Sequence, residues 1–294
     1  MMHPQKTRVG IFAHYDRHNS VDDHVYYFLR SLVSHVERLY MVSTSSIGRI
    51  DLNRLESLGI TVSTRCNEGL DFASYAAVIN KLDLSSIDEV LICNDSVYGP
   101  LFPFAEMLDS MDEKNLDFWG ASSSKEIRWH LQSFFIVFRK SALNASAFRE
   151  FWSNVKSLGD KQRIIREYEI GLTQSLRKAG MIGGSYVGPQ PHEKSLLAGI
   201  AHYGTRLRKR VLDRRFYVNL PTALKQGALI SENPLHDNWL QLIECYRFPF
   251  VKVQLLRDNP KSSSSVSSYA PSMQRLTDYP VALIRSHLKR TTKA

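Results

Sequence analysis

What most restricts the fold of this chain is an alternation of short apolar runs with helical periodicities from Arg8 to Cys93. Arg8 to His14 (RVGIFAH), Leu39 to Ser43, Ile60 to Thr64 and Glu89 to Cys93 (EVLIC) have the length and apolar content of strands. Between them, Val25, Tyr26, Phe28, Leu29, Leu32, Val33 and Val36 recur at helical spacing. Leu52, Leu55 and Leu58 mark a short helix stopped by Gly59, and Phe72 to Leu82 is helical. A β-α-β-α-β-α-β order predicts an α/β fold, with a mostly parallel central sheet and helices on both faces. Such sheets bind ligands beyond the carboxyl ends of their strands. That rule singles out three loops rich in polar side chains or glycine: Tyr15 to Asn19, Asn67 to Asp71 and Asn94 to Pro100.

The second half is less regular. Phe118 to Ser122 and Ser133 to Arg139 read as strands, and Ser141 to Val155 and Lys161 to Lys178 as helices, the latter ending at Gly180. Lys261 to Ser272 (KSSSSVSSYAPS) is Ser-rich and predicts a flexible linker. The expected organisation is a main domain over residues 1–260, a linker over 261–272 and a basic tail over 273–294, with a short amphipathic helix from Tyr279 to Lys289.

No apolar run reaches the ~18 residues needed to cross a bilayer, and the polar start, Met1 to Arg8, runs straight into a strand without a signal-peptide core. Cys66, Cys93 and Cys245 are too dispersed for a disulfide framework, so a reduced, cytoplasmic setting is expected. The formal charge is +9. Much of the excess sits in two clusters: Arg206, Arg208, Lys209, Arg210, Arg214 and Arg215, then Arg285, Lys289, Arg290 and Lys293. Each is read as a solvated face, or together as a peripheral contact with anionic lipid at the inner face of the plasma membrane, where each basic residue adds about 1 kcal/mol. No nucleic-acid partner is expected, because no helix-turn-helix, finger or RNA-binding pattern accompanies the charge. FAHYDRHNS, after the first strand, lacks the glycines of a dinucleotide fold, and there is no P-loop.

Two segments carry the chemistry. In Asn94-Asp95-Ser96 a strand ends on polar residues before Gly99-Pro100 turns the chain. A carboxylate at such a strand end can hold Mg²⁺ or Mn²⁺ against a diphosphate, and Mg²⁺ needs only one or two carboxylates besides phosphate oxygens. Equally, Asx residues cap turns. In Asn67-Glu68-Gly69-Leu70-Asp71, Gly69 permits close approach of backbone to ligand. Asp71 opens a helix whose N-terminus suits a phosphate, while Asn67 and Asp71 could bond nucleoside or sugar hydroxyls; alternatively Asp71 is a simple N-cap. His14 and Tyr15, at the end of the first strand, border the same edge.

NEGLDFASY followed by NDSVYGP resembles the core of the rhamnan synthesis protein F family. His130-Leu131-Gln132-Ser133-Phe134-Phe135, Tyr168-Glu169-Ile170-Gly171-Leu172-Thr173 and Asn233-Pro234-Leu235-His236-Asp237-Asn238-Trp239 extend the likeness in order, over roughly Val9 to Pro260. The resemblance implies a GT-A-like nucleotide-diphospho-sugar transferase fold. It also implies a glycosyltransferase that moves a sugar, rhamnose first among candidates, from a donor such as dTDP-rhamnose to a glycan or lipid-linked glycan of a polysaccharide or lipopolysaccharide. The fully acidic Asp-x-Asp of many such enzymes is missing, because only Asp95 is a carboxylate there. A non-catalytic sugar-binding or scaffold protein is the alternative.

If a β-linked donor gives an α-linked product, the centre inverts and a base must deprotonate the acceptor hydroxyl. Glu167 and Glu169 are the candidates, and two residues apart on a helix only one can face the site; Glu169, inside the family-like motif, is preferred, with a surface ion pair as its other reading. His130 and Gln132 would form an acceptor-side lip. His236, Arg257 and Lys252 would serve the diphosphate side, and Trp239 could stack on a sugar or fill the core.

Overall fold

β1 (Arg8–His14) and β4 (Glu89–Asn94) are buried along their whole length, as apolar strands covered on two faces must be. β2 (Arg38–Ser43) and β3 (Ile60–Thr64) complete the four expected strands, each within a residue or so of its sequence limits. All four are parallel: Ile11 of β1 lies opposite Tyr40 on one side and Ile92 on the other, and Met41 lies opposite Val62. The crossovers are α1 (Asp23–Val33), α2 (Arg49–Glu56) and α3 (Leu70–Ile79).

The computed structural model describes residues 6–191 and 233–292. Later strands are β5 (Val97–Tyr98), β6 (Phe118–Ser124), β7 (His130–Leu131), β8 (Phe135–Arg139), β9 (Gly183–Val187) and β10 (Val251–Lys252). The chain forms two interleaved units, one of Met1–Asp95, Asn115–Gly120 and His130–Gly184, the other of Ser96–Lys114, Ala121–Trp129 and Ser185–Ala294. This replaces the expected division at residue 260. The chain leaves the first unit after Asp95 and returns to it twice to complete the sheet.

In the first unit the strand order is β3-β2-β1-β4-β8, then the opening residues of β6. β8 is antiparallel to β4, with Cys93 opposite Phe135 and Glu89 opposite Arg139. Side chains alternate across the sheet. Phe12 meets Phe28 of α1 at 5.4 Å, whereas Asn94, in the other phase, bonds Asp71 of α3. Helices therefore cover both faces.

The expected helix from Ser141 breaks at Ala145, whose ψ of 137° is extended, into α5 (Lys140–Asn144) and α6 (Ser146–Ser153). Trp152 of α6, fully buried, packs on Phe72 at 6.0 Å, Phe138 at 6.3 Å and Phe148 at 6.1 Å. It ties α3 and α6 to β8, a contact whose loss in Trp152→Ala would cost about 3–5 kcal/mol. The helix expected from Lys161 to Lys178 runs as α7 (Lys161–Ile164), a π-helical stretch Ile165–Ile170 and α8 (Gly171–Lys178).

At the amino edge of the sheet, Glu89 is 2% exposed and gathers three cations. The Arg8 guanidinium lies at 2.6 Å, Lys6 Nζ at 3.1 Å and Arg139 Nε at 3.7 Å. This cluster holds the ends of β1, β4 and β8 together, on the side of the sheet away from the loops singled out above.

In the second unit β5 and β10 pair antiparallel, Tyr98 opposite Val251. Helices follow at Pro234–Asp237, Trp239–Tyr246 and Val253–Asp258. The Ser-rich stretch expected as a flexible linker is instead a 3-10 turn over Ser264–Ser268, in which Ser265 Oγ accepts a hydrogen bond of 3.0 Å from Trp239 Nε1. Small hydroxyls supply local bonds that a composition-based reading treats as slack. Beyond it, Tyr269–Leu276 and Val281–Thr292 are helices that bury Met273, Val281 and Ile284. Tyr98, also buried, places its hydroxyl 2.6 Å from His287 Nδ1. The expected tail is thus part of this unit's core, and its basic side chains Arg285 and Lys289 are exposed. The cluster from Arg206 to Arg215 lies outside the described residues.

Candidate active site

The carboxyl edge of the parallel strands gathers side chains from the first two loops, the start of the third and the approach to β8. After β1, Asp16 closes an Asx turn, its Oδ1 accepting from the His18 and Ser20 amides at 2.9 and 3.1 Å. Its own amide donates to Ser45 Oγ at 2.7 Å, which fastens this loop to the end of β2. His14 lies beneath, 2% exposed, with Nδ1 2.9 Å from Ser43 Oγ. Burial lowers its imidazole to about 4 against the opposing pull of Asp16, so it is neutral near pH 7. The expectation of a donor-binding His14 is corrected: it supports the loop from inside the core. Tyr15 is the outward residue, half its surface exposed, and its amide donates to Asp95 Oδ2 at 2.7 Å.

Asp95 follows directly on β4 and is half-buried. The loops around its carboxylate exclude water, and Asp71 adds a like charge. Together these push the Asp95 carboxyl well above the usual carboxylate range, against the stabilising bond from Tyr15. Asn94, 4% exposed, donates from Nδ2 to Asp71 Oδ2 at 2.7 Å. Asn94 therefore acts as a spacer between β4 and α3.

Gly69 precedes α3 with φ of 72°, a left-handed conformation natural to glycine. A Cβ there would lie 2.9 Å from Ala73 Cβ and 3.3 Å from Ser157 Cα, so the position is closed by packing as well. No side chain caps the first turn of α3, which leaves a helix N-terminus facing the edge. Asn67 is exposed on the turn before it.

Glu169 comes from the π-helical stretch. Its Oε1 accepts from the Ser133 amide at 2.7 Å and from Ser133 Oγ at 3.0 Å. Ser133 precedes Phe134, whose carbonyl accepts the Asn94 amide at 3.3 Å. Glu169 is thereby linked to the end of β4, directly before Asp95. Glu167 is exposed and pairs with Arg163 at 2.5 Å, a surface ion pair of the kind that was the other reading of Glu169. π turns re-aim side chains in this way and recur at functional sites. Tyr75, fully buried one turn after Asp71, donates to the Ser133 carbonyl at 3.3 Å.

His130 in β7 is buried. Gln132 is 9% exposed, and its Oε1 has no hydrogen-bond partner among the described residues. The remaining candidates belong to the second unit. Ser96 is half-buried, and its carbonyl accepts the Val253 amide at 2.9 Å. His236 is half-buried, with its pKa lowered by burial and by Lys252 and Lys261. Trp239 is 3% exposed and fills the core, so its ring is closed to a sugar. Arg257 is exposed and engaged by Asp258 at 2.8 and 3.0 Å, a pairing that competes with the diphosphate role expected of it.

Asp71, Asn94, Asp95, Tyr15 and Glu169 are thus connected by hydrogen bonds and by the adjoining Asn94–Asp95 and Ser133–Phe134 peptides. Sequence reasoning missed Tyr75, and it placed Ser133 on the acceptor-side lip without its hold on Glu169. Tyr75 was legible as the residue four after Asp71 on the same helical face; the role of Ser133 arises only when β8 pairs with β4.

A model of the family described as "Rhamnan synthesis protein F" matches residues 39–199. "Virulence protein VirA" of Vibrio anguillarum is 28% identical over 267 residues, 87% of this chain and 81% of its own. "Uncharacterized protein y4gN" of Sinorhizobium fredii is 27% identical over 197 residues, 65% of this chain and 50% of its own. Among solved structures, the glycosyltransferase GlyE of Streptococcus pneumoniae TIGR4 aligns over 98% of this chain and 64% of its own, at 10% identity and a TM-score of 0.43.

Proposed function

The chain belongs to the rhamnan synthesis protein F family, and from that premise we propose that it is a GT-A-like glycosyltransferase moving a sugar from a nucleotide-sugar donor to a hydroxyl of a growing glycan. What supports this reading is the framework at one sheet edge, in which Asn94 bonds Asp71 beside the desolvated Asp95 and Ser133 holds Glu169.

On this reading the donor lies over Tyr15, Asn67, Gly69, Asp71 and the Asn94–Asp95 pair. The exposed Tyr15 ring offers a face for a base, and the uncapped start of α3 offers backbone amides to phosphate oxygens. Two carboxylates, one strongly desolvated, suit a hard divalent cation, for which Asp95 is the first candidate ligand with Asp71 beside it; Mg²⁺ or Mn²⁺, when bound, would offset the charge of the departing diphosphate. Ser133 occupies Oε1 of Glu169 twice, which leaves Oε2 to take the proton of the acceptor hydroxyl as it attacks the anomeric carbon. Displacement from the face opposite the leaving diphosphate inverts that centre. Gln132 Oε1 is a hydrogen-bond acceptor in want of a donor, which an acceptor hydroxyl would supply.

Rhamnose is the leading sugar because of the family, and a cell-surface polysaccharide or lipopolysaccharide glycan the leading product. No described helix is long and apolar enough to cross a membrane; the exposed Arg285 and Lys289 would serve peripheral contact with anionic lipid at the cytoplasmic face. The test is nucleotide release from a panel of nucleotide sugars, with and without Mg²⁺ or Mn²⁺, by wild-type protein and Asp95→Asn. One donor should support transfer that Asp95→Asn abolishes; full activity in the variant would remove Asp95 from the chemistry.

A further inference from the structure

Tyr75 has no part in the scheme above, yet its side chain lies where the two halves of the framework meet. Its ring is fully buried and clamped between Phe72, at 6.0 Å, and Trp152, at 6.3 Å, both edge-on. The ring cannot swing, so the position of the hydroxyl is dictated by α3. That hydroxyl donates to the Ser133 carbonyl at 3.3 Å. One turn earlier on the same helix, Asp71 accepts from Asn94. The Asn94 amide in turn reaches the Phe134 carbonyl, next in chain to Ser133. A closed circuit results: α3 to β4 through Asp71 and Asn94, β4 to the 133–134 segment through Phe134, and that segment back to α3 through Tyr75. Glu169 hangs on this circuit by the amide and hydroxyl of Ser133.

We propose that Tyr75 is a positioning residue: it holds the Ser133–Phe134 segment, and through it the Glu169 carboxylate, at a fixed distance from the donor-side residues Asp71, Asn94 and Asp95. The inference rests on Glu169 being the base of the proposed transfer. A phenol suits the task better than a titrating group. Burial, with the charges of Asp71, Asp95 and Glu169 acting alongside the Cys93 thiol, raises its pKa well above the ordinary value, so it stays a donor throughout the working range. Removing the hydroxyl frees the Ser133 carbonyl while leaving the ring packing and the Asp71–Asn94 bond in place. The donor would still bind, but the base would no longer be held on the line of attack. A misplacement of about 1 Å is enough to cost on the order of 100-fold in rate.

The experiment uses full-length protein carrying Tyr75→Phe, Glu169→Gln, or both, assayed with the donor identified in the wild type. Tyr75→Phe should lower kcat by about 10- to 100-fold with donor KM within about twofold. The double variant should be no slower than Glu169→Gln alone, because both changes spoil one act. If Tyr75→Phe does not fold, Ser133→Ala, which removes one of the two bonds to Glu169 Oε1, should show the same loss of kcat at constant KM and the same lack of additivity. Wild-type kcat in Tyr75→Phe, or losses that multiply in the double variant, would overturn the positioning role while leaving the transferase reading intact. A wild-type protein that turns over no nucleotide sugar in the panel would overturn that reading and this inference with it.

Discussion

Lowering the pH from 7 to 4 should weaken this fold through one residue at the foot of the loop after β1. His14 is 2% exposed, and burial holds its imidazole at about 4 rather than the ordinary 6.5. In the unfolded chain it binds a proton near pH 6.5; in the folded chain it does so only near 4. Between those values the unfolded state carries the extra proton, so stability falls as pH falls. Each pH unit in that window is worth about 1.4 kcal/mol, which makes the whole effect about 3 kcal/mol. His14→Gln keeps a polar group near Ser43 and abolishes the titration. The measurement is urea unfolding of both proteins at several pH values from 7 to 4. Wild type should lose about 3 kcal/mol relative to the variant, most of it between pH 6 and 4.5. A difference that is flat with pH would show that His14 protonates without hindrance, and the argument from burial would fail.

Other outcomes follow from the same physical picture. Glu89→Gln should cost about 3–5 kcal/mol in urea unfolding, because it strands the buried Arg8 guanidinium, whereas Lys6→Ala, at a 41% exposed cation, should cost under about 1 kcal/mol; equal costs would refute the burial argument. Asp95→Asn should gain stability over wild type as pH rises above about 4, since the raised carboxyl of the folded state resists ionisation that the unfolded chain undergoes freely. A parallel pH dependence of the two proteins would mean that Asp95 is not strained. Deletion after Pro260 should uncover Tyr98 and Trp239 and remove the buried Met273 and Ile284, leaving protein that limited proteolysis digests readily; a truncated form as protease-resistant as wild type would restore the linker-and-tail division.

The sequence by itself determined the α/β class, the four parallel strands and the edge on which the candidate site sits. These depend on local hydrophobic period and on the rule that crossovers bring all carboxyl ends to one side. RVGIFAH and EVLIC could be placed within a residue because the middle of a strand buried on two faces is apolar, and polar residues such as Arg8, His14, Glu89 and Asn94 stand only at its ends. The pairing of Glu169 with Ser133, the reach of Tyr75 and the spacing of Asp71 from Asp95 by Asn94 depend on which strands become neighbours, and β8 joins β4 across some forty residues of intervening chain. The same distance explains the errors. His14 faces inward because its phase on β1 places it under α1, and the Ser-rich stretch is ordered because Trp239 needs a partner for its buried indole. Local pattern sets which residues can stand at an edge; only the packed chain settles which of them touch.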